Sequence, residues 1–317
     1  MTGIMPATHK PSEICVVKIN IMIKLNTSRI LVPFDFSNTS KRAIRHAAML
    51  AQMNKGELLL FYVKRPKSIL NIGYSTSELR SIAEERQNYR KLIEDTASEI
   101  RAEFNIPVKV SVGMGNRISS ITRTTFKKEV GLIVMGTQGS ESASSLFSGG
   151  NSHRVVSKAE IPVLTVRSDS KRVAYSNILL PVDLSEHTRQ KVVVAIQVAK
   201  LFGGKIHLLG LLSSNDKDAA FKLNRILKQV GTRLRSEDLE FTSEIIETSE
   251  PVKRTLAAAK RKKADMIISM TDEGSGSILP SKSYDRELVD ESSIPVLSIP
   301  PEIHEENIAP ASLGGLW

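Results

Sequence analysis

The sequence predicts an α/β protein with two doubly wound domains in tandem, each built on a five-stranded parallel sheet. The chain has 317 residues, which is too long for one small core and suits two domains of about 150 residues. Short apolar runs without polar alternation, such as residues 58–63 and 206–211, are typical of strands buried on both faces. The same order of apolar runs and amphipathic stretches occurs twice, which indicates an internal repeat.

Each copy opens with an apolar run, a proline, an Asp and a Ser, in residues 29–37 and 177–185. Because Asp and Ser side chains accept hydrogen bonds from free backbone N–H groups, this pattern predicts a helix directly after the first strand. Amphipathic stretches at residues 41–53 and 189–202 are the predicted helices. A polar or glycine-containing turn then leads into the second strand of each copy.

The two copies also end alike, with Ile-Pro-Val-Leu in residues 161–164 and again in residues 294–297. The spacing between equivalent residues falls from 148 near the start of the copies to 133 near their end, so the first copy is 15 residues longer. The surplus falls in a polar helical segment, residues 75–104. Each copy therefore alternates five strands with four helices, and right-handed crossovers between parallel strands make such a sheet doubly wound.

These patterns divide the chain into segments, with residues 167–176 as the linker between the domains. The leader lacks a signal-peptide pattern, and Met22 is an alternative first residue of the protein. The predicted order is a leader expected to be disordered (1–26), a first domain (27–167), a second domain (176–300) and a tail (301–317).

The net charge of +10 raises the question of a nucleic-acid partner, but the basic residues are scattered along the chain. The one dense run, residues 260–263, falls where a helix should end, and cations there complement the helix dipole. Aromatic residues make up 5% of the chain, too few for a surface that stacks bases. We therefore expect solvated basic faces rather than a nucleic-acid interface.

The sequence also favours one compartment. No apolar run approaches the roughly 18 residues that a membrane span needs. Cys15 is the only cysteine, so an intrachain disulfide is excluded and a reducing compartment is favoured. We expect a cytoplasmic protein without a membrane partner.

Doubly wound sheets bind ligands at the carboxyl ends of their strands, where the strand order reverses. In the first copy this edge carries Pro33, Asp35 and Ser37. An Asp and a Ser at this place cap the next helix in any α/β unit, so by themselves they indicate a cap rather than a ligand site.

Glycines at a fixed spacing after the fourth strand are a stronger signal. Gly136 and Gly139 follow Met135, and after nine further residues Gly149 and Gly150 precede a predicted helix. Glycine lets the backbone approach a ligand without obstruction by a Cβ atom, and N–H groups at a helix N-terminus attract anions. The spacing predicts a cradle for phosphate groups.

The arrangement G-x2-G-x9-G, followed by small polar residues, resembles the ATP-binding motif of the universal stress protein family. The opening Val-Pro-Phe-Asp-Phe-Ser, the strand at residues 58–63 and the closing Ile-Pro-Val-Leu are similar to the same family. The resemblance covers nearly all of residues 27–167 and, more loosely, residues 176–300. It implies a UspA-like protein of the stress response with the fold of adenine nucleotide alpha hydrolase-like proteins. It also implies ATP, or a related adenine nucleotide, in the first domain.

The same resemblance implies a role for each part of the site. Asp35 would face the ribose, the backbone near Val63 would meet the adenine, and the two glycine turns would hold the phosphates. Gly150 stands where the family usually has Ser or Thr, which removes a hydroxyl but keeps the backbone N–H donor. The implied nucleotide site consists of Pro33, Asp35, Val63, Met135, Gly136, Gly139, Gly149, Gly150, Asn151 and Ser152.

The second copy lacks this cradle. Met270 replaces the first glycine, Asp272 and Glu273 fall near the second, and Lys282 replaces the third. Two carboxylates in a phosphate pocket would repel the ligand. The second domain is therefore interpreted as a structural partner, and Asp183 as a helix cap.

The role of the second domain is predicted to be pairing. The closing strands, residues 163–166 and 296–299, are apolar and would lie at sheet edges, which need to be covered. In the universal stress protein family this last strand commonly mediates dimerisation. We predict that the two copies pair through it inside one chain, as a pseudo-twofold dimer. The alternatives are edges covered by each domain's own loops, and a homodimer of two chains.

No catalytic set is evident in the sequence. His153 stands alone at the start of a helix, no Walker lysine follows the glycines, and the single carboxylate of Asp35 is weak support for Mg²⁺ beside the nucleotide. Three hypotheses follow: a nucleotide-binding regulatory module that is not an enzyme, a weak nucleotide hydrolase or transferase, and a nucleotide-free interaction protein whose sites are relics. The first is the interpretation that the residues favour.

Overall fold

A computed structural model describes most of the chain. The residues that it describes are 25–64, 76–137, 151–167, 170, 173–185, 188–213, 216–271 and 284–301. Gly139, Gly149 and Gly150 of the implied nucleotide site lie outside these residues, as do most of the predicted leader and tail.

The first repeat forms the predicted alternation of five strands and four helices. Its first helix begins as expected, because Ser37 is the N-cap residue and its side chain accepts a hydrogen bond of 3.2 Å from the backbone N–H of Ser40. The strands are β1 (Arg29–Pro33), β2 (Glu57–Lys64), β3 (Val108–Met114), β4 (Leu132–Thr137) and β5 (Val163–Arg167). The helices are α1 (Asn38–Met53), α2 (Thr76–Phe104), α3 (Arg117–Lys127) and α4 (Asn151–Val156).

The second repeat has the same order of elements. Helix α2 has 29 residues and its counterpart α6 has 20, so the surplus of the first copy falls largely in this helix, as predicted. The strands are β6 (Asn177–Val182), β7 (Lys205–Leu212), β8 (Phe241–Glu247), β9 (Met266–Met270) and β10 (Val296–Ile299). The helices are α5 (Thr188–Phe202), α6 (Lys217–Ser236), α7 (Pro251–Arg261) and α8 (Tyr284–Glu291).

The ten strands of the described residues form one continuous sheet in the order β3-β2-β1-β4-β5-β10-β9-β6-β7-β8. Within each repeat every neighbouring pair is parallel, which confirms the predicted doubly wound fold. The two repeats meet at β5 and β10, which pair antiparallel. The prediction that the closing strands pair inside one chain is therefore confirmed.

The register of this central pair makes the repeats pseudo-symmetric. Leu164 lies opposite Leu297, and these two leucines occupy the same place in their repeats. Thr165 lies opposite Val296 and Val163 opposite Ser298, so the pairing is the same when read from either repeat. Such self-complementarity is the property of a twofold interface. The local twofold axis passes between Leu164 and Leu297.

The two faces of the sheet are covered differently. On one face, helices α1, α2, α5 and α6 pack over a single hydrophobic core that contains residues of both repeats, including Leu164 and Leu297. On the other face, α3 with α4 and α7 with α8 cover two separate cores, one for each repeat. The repeats therefore share the larger part of their hydrophobic interior. Among the helices that the structure describes, none has the length and apolar character of a membrane span.

A buried histidine ties the connection between the repeats to the shared core. His46 on α1 is fully buried, and its Nδ1 atom lies 2.5 Å from the hydroxyl of Tyr175, in the connection. Its Nε2 atom lies 3.4 Å from the carbonyl oxygen of Ser170. The Tyr175 ring meets Phe202 of the second repeat edge-on, with ring centroids 5.0 Å apart. Burial is the main cause that lowers the pKa of His46 to about 4.

We expect the stability of the protein to fall in acid because of His46. The unfolded chain binds a proton at this residue near its ordinary pKa of 6.5, whereas the folded chain binds it only near 4. Since the unfolded state holds more protons between these values, the free energy of unfolding decreases as the pH falls through that window. The contribution of His46 is a loss of about 2 kcal/mol between pH 7 and pH 5.

Urea denaturation at several pH values, compared with His46→Asn, measures this contribution. The amide of Asn can bond to the Tyr175 hydroxyl but does not titrate, so the variant should be less sensitive to pH over the same range. Equal pH profiles of the two proteins would show that His46 titrates normally in the folded state.

Candidate functional site

A crevice opens in the first repeat where the strand order reverses, between β1 and β4. These strands pair only at their amino-terminal ends, Ile30 with Leu132 and Leu31 with Ile133. Beyond these pairs β1 leads to α1 on one face of the sheet and β4 leads towards α4 on the other. Such a divergence at the carboxyl ends of parallel strands is where α/β proteins bind their ligands.

A tight turn carries the predicted Asp35 at the mouth of the crevice. The Oδ1 atom of Asp35 accepts a hydrogen bond of 3.1 Å from the backbone N–H of Ser37 and one of 2.5 Å from its hydroxyl. The Asp35 carboxylate thus orders the turn before α1, which is the capping role that its residue type indicates. Asp35 as a whole is half-buried.

Phe36, in the middle of this turn, has a strained backbone. Its φ angle is 67°, in the left-handed region that a bulky side chain rarely adopts. The Phe36 ring is partly exposed and packs on Phe34 and Tyr62, with ring centroids 4.7 and 5.8 Å away. A non-glycine residue in this conformation is disfavoured by about 1–2 kcal/mol, and such strain is often found at functional sites. Nothing in the sequence pattern predicted it.

Gly136, at the carboxyl end of β4, allows α1 to approach the crevice closely. A Cβ atom on Gly136 would lie 2.6 Å from the backbone carbonyl carbon of Thr39 and 2.7 Å from its Cβ atom. The requirement for glycine here thus comes first from the packing of α1 against the strand. Thr39, whose hydroxyl lies 2.9 Å from that of Ser37, is a residue of this site that the sequence analysis did not single out.

The other described residues of the implied site lie around the same crevice. Pro33 ends β1 and is buried, and Ser152 is buried in the first turn of α4. Val63 and Met135 belong to the core beneath α3 and α4 and are 4% and 0% exposed. Their side chains are therefore enclosed in that core.

The crevice of the second repeat, between β6 and β9, has the same turn. Asp183 accepts hydrogen bonds of 3.1 Å from the backbone N–H of Ser185 and 2.5 Å from its hydroxyl. These distances equal those of Asp35 and Ser37 in the first repeat. The turn is therefore a property of the fold, and it cannot by itself distinguish a binding site from a helix cap.

What differs between the crevices is the space beside the turn. Gly136 pairs with Val166 on β5, and Met270 pairs with Ile299 at the equivalent place on β10, so Met270 fills the position of the glycine as predicted. Eight residues after the aspartate, the first repeat has a buried Ala43. The second repeat has Lys191 at that position.

Lys191 is a buried cation in the second crevice. It is 6% exposed, and its Nζ atom donates a hydrogen bond of 3.0 Å to the carbonyl oxygen of Pro181. Burial acts to raise the pKa of Asp183, but the charge of Lys191 and the hydrogen bonds from Ser185 outweigh it, so that this pKa is lowered. The second crevice thus holds a cation of its own where the first has an alanine.

Comparison with protein families identifies the repeats. The model of the universal stress protein family matches the chain twice, at residues 26–167 and 174–300. A universal stress protein of Methanocaldococcus jannaschii, MJ0531, is 29% identical over 146 residues, which is 45% of this chain and 84% of the relative. One of Thermus aquaticus is 30% identical over 140 residues, which is 44% of this chain and 97% of the relative. Each of these relatives is about as long as one repeat.

A solved structure matches both repeats together. The crystal structure of a universal stress protein from Archaeoglobus fulgidus aligns with 86% of this chain and 98% of its own, with a TM-score of 0.68 and 20% identity. At this identity the likeness concerns the fold. It extends over nearly the whole described chain and so includes the tandem arrangement.

Proposed function

The chain belongs to the universal stress protein family, and on this basis we propose that its first repeat binds ATP or a related adenine nucleotide in the crevice between β1 and β4. Binding would serve regulation in the stress response rather than catalysis. The observation that carries the proposal is the difference between two otherwise matching crevices. The first combines a half-buried Asp35 with Gly136 and the glycine spacing, whereas the second has Met270 and the buried Lys191.

The proposed contacts follow from the placement of the described residues. Asp35 would hold the ribose hydroxyls with its carboxylate. The backbone at Val63, the last buried residue of β2, would line the adenine pocket. The phosphates would lie at the backbone that follows Gly136 and at the residues up to Ser152. Bound ATP would bring its own Mg²⁺, since the described residues contain no cluster of three or more His, Cys, Asp or Glu side chains that could hold a metal.

The second repeat would act as a scaffold in this proposal. Its Lys191 and Met270 fill the region next to Asp183, and its closing strand completes the central pair with β5. The single cysteine of the sequence agrees with the expected cytoplasmic location.

The two matching turns supply a controlled test. Asp35→Ala should weaken ATP binding at least about tenfold, because a charged hydrogen bond to the ribose is lost. Asp183→Ala removes the same turn contacts without touching the proposed site, so it should leave ATP affinity unchanged. Both variants should lose stability, by about 1 kcal/mol or more for the loss of a capping interaction. Isothermal titration with ATP and urea denaturation measure the two effects separately.

Equal ATP affinity of both variants and the unchanged protein would reject the site. Mass spectrometry of the denatured, purified protein is the complementary test of whether a nucleotide is carried at all: adenine nucleotide should be recovered at one per chain, and its absence from repeated preparations favours a relic site. A hydrolase would instead release ADP at a rate that Gly149→Val abolishes.

A further inference from the structure

The outer edge of the sheet in the first repeat borders a second cleft, far from the crevice. It lies at the amino-terminal end of the strands, between α2 and β3, and has a volume of about 560 Å³. A smaller cleft of about 260 Å³ continues from it along β3, past Val110 to Val112. Arg90 on α2 lines both. The long polar helix α2 thus stands beside an open groove that follows the edge strand.

The groove is basic. Glu94 is the one acidic residue among those that line the larger cleft, and it pairs with Arg101 at 2.7 Å. Glu57, next to the cleft, forms ion pairs with Lys109 and Arg29. Burial acts to raise the pKa of Glu57, but these two cations outweigh it and lower that pKa. The basic residues that line the larger cleft are Arg29, Arg90, Arg101, Lys109 and Lys128.

The backbone of β3 turns an alternate set of polar groups to this groove. The backbone N–H of Leu58 on β2 donates a hydrogen bond to the carbonyl oxygen of Pro107, the residue before β3. In a parallel ladder, every second residue of a strand points its N–H and C=O groups to a given neighbouring strand. Val108, Val110 and Val112 therefore point their N–H and C=O groups outward. Arg101 donates to the carbonyl of Val108 at 3.1 and 2.6 Å, and Arg86 donates to that of Val112 at 3.3 Å. Between the two arginines, the edge at Val110 faces the cleft.

The basic groove is not a requirement of the fold, because the second repeat replaces some of its residues. Arg29 and Asn177 occupy the same place at the start of the first strand. Lys109 and Thr242 occupy the same place on the edge strand, and Glu244 stands where the first repeat has Ser111. The edge of the second repeat therefore has a carboxylate where the first has a neutral residue and lacks two of its cations.

From these features we infer that the β3 edge is a docking surface for an extended acidic segment of a partner protein. The segment adds to the sheet through the outward backbone groups around Val110, and its carboxylates pair with Arg90, Lys109 and their basic neighbours. Strand addition supplies affinity through main-chain hydrogen bonds, while side chains on alternate positions supply selectivity. The arginines that cap Val108 and Val112 keep the edge covered when no partner is present, and they become the ion-pair partners when one binds.

The probes are two labelled peptides of about ten residues, one alternating Glu with Val (the Glu-Val peptide) and its form with every backbone nitrogen methylated. They carry the same charge, but only the Glu-Val peptide has the backbone N–H donors that strand pairing needs. Fluorescence anisotropy should show the Glu-Val peptide binding at least about tenfold more tightly, and the double variant Arg90→Ala with Lys109→Ala should weaken it by a similar factor. Lys253→Ala, at an exposed lysine of α7, is the control and should change nothing.

The hydrogen-exchange rate of the Val110 amide distinguishes strand addition from binding by charge alone. The Glu-Val peptide should protect this amide from exchange. Equal binding of the two peptides, binding of neither, or an unprotected Val110 amide would each overturn the inference. Inorganic polyphosphate that competes more strongly than the Glu-Val peptide would show a polyanion site instead. None of these results depends on nucleotide binding at the β1–β4 crevice.

Discussion

Leu164→Asp is expected to destabilise the whole chain by at least about 4 kcal/mol, since it removes a buried leucine and places an unpaired charge in the core. Leu164 and Leu297 are each 1% exposed and face one another on the pseudo-twofold axis. Both belong to the core that the two repeats share. The reciprocal Leu297→Asp should therefore have a similar effect.

The shared core also predicts the number of unfolding transitions. Because the larger part of the interior belongs to both repeats, urea should unfold the protein in a single transition, and Leu164→Asp should move that transition as a whole. Phe126→Asp is the control: Phe126 is 83% exposed, so this substitution should change the free energy of unfolding by no more than about 0.5 kcal/mol. Two separate transitions, with only one of them shifted, would mean that the repeats fold independently.

The sequence predicted the elements of the fold and their order because each strand and helix carries its own local signal. The apolar runs, the prolines and the Asp–Ser turns located most of the strands, whereas β3 and β8 were predicted only by their place in the order. The closing Ile-Pro-Val-Leu runs identified the strands that pair. The shared core was not predicted, because it depends on which face of each helix meets the other repeat. His46 is an example, since nothing in its local sequence shows that it lies against Tyr175, 129 residues away.

For the candidate site, too, the sequence predicted some residues and missed others. The positions of Asp35, Gly136 and Met270 follow from sequence spacing, and the structure places them at the two crevices. Lys191 was not recognised, because a lysine in an amphipathic helix is expected to face solvent. Its burial depends on the space between α5 and the sheet and on the carbonyl of Pro181, which only the folded backbone brings within 3.0 Å.

Gly136→Ala is expected to lower stability by about 3 kcal/mol, near the upper end of the range for overpacked interiors. The new methyl group would lie 2.6 Å from the backbone of Thr39, in the first turn of α1. A helix backbone cannot move aside as a side chain can, so α1 has to shift away from β4. Because α1 follows directly on the turn of Asp35 and Ser37, the same shift should weaken ATP binding if the nucleotide lies in the crevice.

Gly210 on β7 provides the matched control. The three atoms nearest to a methyl group there would be side-chain carbons of Leu227, Ile245 and Leu223, at 3.0 to 3.1 Å. Side-chain ends can adjust by a few tenths of an ångström, so Gly210→Ala should lower stability by less than about 1 kcal/mol and leave ATP binding unchanged. Urea denaturation and isothermal titration of both variants separate the two causes. If Gly136→Ala loses stability while ATP still binds with full affinity, the glycine serves only the packing of α1, and the ligand does not use the close approach that it allows.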